Sequence, residues 1–118
     1  MTINILGTEY TIEVKKYKDD EVFERNHFDG YHDGYQKKIV TCDMHTYPGW
    51  DNEEEETIQE CMKQTLRHEI THAFLHESGI ADSAMQSPRG WAKNEEMIDW
   101  IAFQGPKIYE AWKDIGAV

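Results

Sequence analysis

Positive charge is scarce in this chain: 12 Lys and Arg stand against 23 Asp and Glu, a formal net charge of −11. Such a surface repels phosphate backbones and anionic headgroups, which argues against direct nucleic-acid binding and against docking on a membrane. Cysteine is scarcer still. Cys42 and Cys61 lie far apart, outside any Cys-x-x-Cys arrangement, so they lack metal-ligand spacing and are expected to be structural. No run approaches the roughly 20 apolar residues of a membrane span. Residues 1–7 lack the basic region and long apolar core of an export signal. The expected setting is the cytoplasm, with both thiols reduced. What remains is a chain of 118 residues, 39% hydrophobic and 30% charged, which suits one soluble globular domain over 1–118 with a modest core.

The informative stretch is His68-Glu69-Ile70-Thr71-His72. On an α-helix, residues four apart stand about 40° apart around the axis and roughly 6 Å along it, so His68 and His72 can converge on one ion. Glu69 lies about 100° round from His68. Its carboxylate is therefore placed to reach water at the ion rather than the ion itself. Two neutral imidazoles and one carboxylate from elsewhere leave zinc an open fourth position, the layout of a catalytic site. Met62, Leu66, Ile70, Ala73 and Phe74 add an apolar stripe at helical spacing, and Gly79 stands where a helix of this kind ends.

Around this helix the sequence predicts an α+β arrangement. Residues 2–16 alternate as a hairpin turning at Gly7-Thr8, and residues 37–44 are β-branched and read as a third strand. The expectation is a small antiparallel sheet packed on the active-site helix. Asp29-Gly30 and Asp33-Gly34 read as turns. The long helix is expected over about 52–77, capped by Asp51 or Asn52, with Glu53–Glu56 at the positive end of its dipole. Residues 79–93 read as a loop and 94–104 as a second helix. Gly105-Pro106 should break that helix, Pro106 opening a short third one whose packing face is Ile108, Tyr109, Trp112 and Ile115.

The third ligand is sought on the second helix, which offers Glu95, Glu96 and Asp99. Glu95 and Asp99, four apart, share a face. Glu95 can then bind the metal while Asp99 holds the far nitrogen of a ligating histidine. Glu96, about 100° away from Glu95, is the less favoured alternative. An oxyanion-stabilising group is also wanted, and His27, Tyr31, His32, His45, Tyr47 and Arg89 are all candidates. His76 extends the histidine row but reads as a surface residue near the helix end.

His68-Glu69-Ile70-Thr71-His72 followed by Glu95-Glu96-Met97-Ile98-Asp99 resembles the Glu-zincin layout in order and spacing. The segment through Trp100-Ile101-Ala102 also looks like the ligand helix of the small ImmA/IrrE-type metallopeptidases of phages, mobile elements and bacteria. The resemblance spans about 40 residues. It differs in Ile98, where a small residue is usual, and in the lack of a separate DNA-binding region. It implies a minimal zincin fold, a zinc cofactor and cleavage of a repressor-type protein. Leu75 and Ser78 stand where a metzincin has its glycine and third histidine, which excludes that pattern. The expected activity is hydrolysis of a protein or peptide substrate, with Glu69 as general base. The alternative is a non-catalytic, phage-type zinc-binding protein that docks on a host protein. Oligomeric state is not legible.

Overall fold

The computed structural model describes residues 1–83 and 90–118. Pro88 and Arg89, the latter an oxyanion candidate, lie outside the described residues. The fold is α+β. Strands β1 (Thr2–Ile5), β2 (Thr8–Lys16), β3 (Gly30–Asp33) and β4 (Lys38–Asp43) form one sheet in the order β1-β2-β4-β3. Helix α1 (Glu21–Asn26) precedes β3. Helices α2 (Glu55–Glu77), α3 (Ile80–Ser83) and α4 (Glu95–Asp114) follow β4.

The expected three-stranded antiparallel sheet is corrected on two counts. The stretch read as two Asp-Gly turns contains a fourth strand, β3, and β2 pairs with β4 in parallel. The chain leaves β2, crosses through α1 and returns as edge strand β3. It then hairpins into the space between β3 and β2, so β4 must run parallel to β2. Gly30 serves packing here rather than a turn. A Cβ on it would lie 2.6 Å from Thr65 Cγ2 of α2 and 3.2 Å from the Val40 carbonyl oxygen. Asp33 does make a turn, its Oδ1 accepting from the backbone N–H groups of Tyr35 and Gln36 at 3.0 and 2.9 Å. The first hairpin turns at Leu6-Gly7, one residue earlier than expected, with both residues at positive φ (50° and 92°) as a type I′ turn requires.

Alternation along β3 then sorts the layers. Tyr31 packs on Phe23 of α1, ring centroids 6.0 Å apart, while Gly30 and His32 face α2. Central strand β4 is buried at all four positions from Ile39 to Cys42. One apolar cluster joins Phe23, Val40, Cys42, Met44 and Ile58, and a second joins Ile5, Tyr10, Ile39 and Ala73 with Leu66 and Ile70 against it. Both cysteines are free thiols, Cys42 buried. Phe74, assigned to the packed stripe of α2, is 41% exposed.

The helices begin and end differently from expectation. Trp50 packs against the first cluster and its carbonyl accepts from the Glu53 N–H, so the chain is still turning where a helix from 52 was expected. Helix α2 begins at Glu55, and its N-cap residue Glu54 makes no side-chain capping bond. Neither Asp51 nor Asn52 caps it. Residues 79–93 are not all loop, since they include α3 and a 3-10 turn at Trp91–Lys93. Pro106 does not break α4. A proline at that position leaves the carbonyl four residues back, that of Ala102, without its helical N–H. Arg67 of α2 supplies the donor, its Nε lying 2.6 Å from the Ala102 oxygen. The helix therefore runs unbroken to Asp114, and the face of Ile108, Tyr109 and Trp112 belongs to it, with Ile115 at its C-cap. That face is not packed: Tyr109, Trp112 and Ile115 are exposed.

Candidate metal centre

Helix α2 carries His68, Glu69 and His72 across the sheet, and α4 crosses over them with its first turn. Asn94 starts α4 by accepting from the Met97 N–H at 2.8 Å, which sets the phase of the residues that follow. Glu95 then faces the histidines: its Oε2 lies 3.0 Å from His68 Nε2 and its Oε1 lies 3.4 Å from His72 Nε2. The two Nε2 atoms are 3.1 Å apart. Glu96, one residue on and exposed like Glu95, forms no ion pair with either histidine.

These spacings match a tetrahedral ion. Bonds of about 2.0–2.1 Å at the tetrahedral angle separate ligand atoms by about 3.3 Å. Spacing alone groups Glu69 with the histidines, since His68, Glu69 and His72 each offer a donor within 4.8 Å of the others. But Glu69 Oε1 is 4.0 Å from His68 Nε2, beyond that edge length, whereas Glu95 lies within it. Glu95 is the better third ligand, with Glu69 beside the shell.

Electrostatics point the same way. Asp99 Oδ1 is 2.7 Å from His68 Nδ1, and a carboxylate there places the ring proton on Nδ1. The lone pair of Nε2 is thereby turned toward the Glu95 oxygens and His72. Electron-rich atoms at such separations repel unless a proton or a metal ion lies between them. Burial holds His72 below its ordinary pKa, in the neutral form a ligand needs. Glu69 is 6% exposed, and burial pushes its carboxyl up to about 7. A carboxyl so placed can both take and return a proton near neutral pH.

No family model, curated protein or solved structure matches this chain.

Of the oxyanion candidates among the described residues, two come near the centre. His32, on β3, stacks parallel to His72 with ring centroids 6.4 Å apart, and Tyr31 lines the same cavity of 600 Å³. Tyr31 is otherwise engaged, its hydroxyl donating to Asp20 Oδ2 at 2.6 Å. His32 is held well below its ordinary range, to about 4, by burial and by the neighbouring His76 and His72. His27 ends α1 in the left-handed conformation, where its carbonyl accepts from the Tyr47 hydroxyl. His45 bridges Asp43 and Glu55. His76 is half-buried rather than a surface residue: it packs edge-on to His32 at 5.4 Å, and its ring lies where a Cβ on Gly34 would fall. One neighbour was missed. Asp29 lines the cavity beside Glu69 and accepts from Thr65 Oγ1 at 2.9 Å. Its Asp-Gly dipeptide signalled a turn, and nothing local signals the contact with α2.

Proposed function

We propose that this chain is a zinc-dependent peptidase, with His68, His72 and Glu95 holding the ion, Glu69 as general base and Asp99 orienting His68. The observation that carries this reading is the convergence of His68 Nε2 and His72 Nε2, 3.1 Å apart, on the Glu95 carboxylate, one oxygen 3.0 Å from the first and the other 3.4 Å from the second, with a buried carboxyl beside them. Zinc, when bound, acts as a Lewis acid that polarises a substrate carbonyl and acidifies water. Glu69 takes the proton of the attacking water and passes it to the leaving amine. Its burial keeps its proton affinity close to the working pH. Asp99 holds the imidazole of His68 in one tautomer and one orientation. His32, half-buried on the β3 wall of the cleft with its Nε2 3.3 Å from the Tyr10 hydroxyl, is the nearest candidate donor to the developing oxyanion among the described residues.

The substrate is a protein or peptide, and the resemblance to ImmA/IrrE-type enzymes favours a regulatory protein. The free thiols of Cys42 and Cys61 favour a cytoplasmic setting. Among the described residues, no helix is long and apolar enough to cross a membrane.

The test is Glu69→Gln. It should leave one zinc per chain by elemental analysis, while proteolytic fragments produced by the wild type in a host extract fall by about 10²–10⁴ in rate. A chain that takes up no zinc on titration ends this reading. Full biological activity in Glu69→Gln would assign the function to binding instead.

A further inference from the structure

The apolar stripe of α4 continues where α2 stops covering it. Ile98, Ile101, Gly105, Ile108, Trp112 and Ile115 recur at alternating spacings of three and four, the heptad pattern of a helix–helix seam. Ile98 is fully buried within the chain. Further along, Ile101 is 37%, Trp112 53% and Ile115 80% exposed. Ile70 and Phe74 of α2, with Ile101, Gly105 and Tyr109 of α4, line an apolar groove of 410 Å³ beside this outer seam.

We propose that the groove and the outer half of the α4 seam pair with a second copy of this chain, the two α4 helices meeting across a two-fold axis. Area supports this occupant. Phe74, Ile101, Tyr109, Trp112 and Ile115 leave on the order of 500 Å² of side chain in water, so two copies would cover about 1,000 Å², the lower bound of a specific interface.

Charge supports it too. The flanking positions Gln104, Tyr109 and Ala111 are uncharged, although these are the positions whose charges select a different partner in helix pairs. Among the described residues no carboxylate lines the groove, and the one charged residue there, Arg67, is engaged with the Ala102 carbonyl. A basic partner therefore finds nothing to pair with there. Over residues 104–115, Lys107 and Lys113 balance Glu110 and Asp114. On a chain of net charge −11 this helix end is where a second copy is not repelled.

The experiment is sedimentation velocity of the full chain over a concentration series. The wild type should show a reversible dimer, and Trp112→Glu should be monomeric with an unchanged melting temperature. Ile115→Lys, at a position 80% exposed and so without folding consequence, should also be monomeric. Val14→Glu, at an exposed apolar position on β2, should still dimerise. A wild type that stays monomeric to about 1 mM overturns the proposal. So does a dimer that survives both seam variants, or a monomer that instead binds phosphatidylserine-containing vesicles through Trp112.

Discussion

Asp99 Oδ1 lies 2.7 Å from His68 Nδ1, a bond from α4 to α2 that decides which nitrogen of the imidazole faces Glu95. The carboxylate is more than half exposed while the ring is largely covered, so the bond matters for orientation more than for stability.

Asp99→Ala should weaken zinc binding by about 10–100-fold while leaving the fold intact. Competition against a chromophoric chelator measures this. Glu96→Gln, one residue from the ligand and outside the site, should bind like the wild type. Equal losses in both variants would remove the positioning role from Asp99.

Arg67 and Pro106 should be coupled. Arg67→Ala strips the donor from the Ala102 carbonyl and should cost about 1.5–3 kcal/mol, as for hydrogen bonds from charged groups. Pro106→Ala restores a backbone N–H to that carbonyl. In the Pro106→Ala background, Arg67→Ala should therefore cost much less. A double-mutant cycle from chemical denaturation reads the difference, and additive effects would contradict the capping role.

Acid stability should depend on Glu77. Hydrogen bonds from Lys37, and then from the Tyr10 and Thr8 hydroxyls, hold its carboxyl from an ordinary 4.5 down to about 2. A depressed pKa means that the unfolded chain binds the proton first. The stabilisation is thus fully present above about pH 4.5 and disappears as pH falls toward 2. Glu77→Gln should flatten that limb of a denaturation-midpoint profile between pH 5 and pH 2. An unchanged profile would show that the link from α2 to Tyr10 and Lys37 contributes nothing measurable.

The hairpin over 2–16 was legible because its alternation and turn are local. The α2 face of His68 and His72 was legible because four-residue spacing on a helix is geometry that no neighbour alters. Strand β3 was not, since Gly30–Asp33 acquires strand character from pairing with β4 and from the close approach of Thr65. The parallel pairing of β2 with β4 likewise depends on where α1 returns the chain. The break at Gly105-Pro106 was read from a local rule that a distant side chain, Arg67, overrides.

The sequence by itself determined the candidate ligand types, their order, and the preference for Glu95 over Glu96 as the third candidate, because each follows from helical phase within one element. Only the tertiary structure decided that Glu95 and Asp99 meet His68 across two helices, that Glu69 is buried enough to hold a proton near neutrality, and that His32 and Asp29 stand beside it. Those are properties of distance and desolvation between segments far apart in the chain, and no local pattern of residues encodes them.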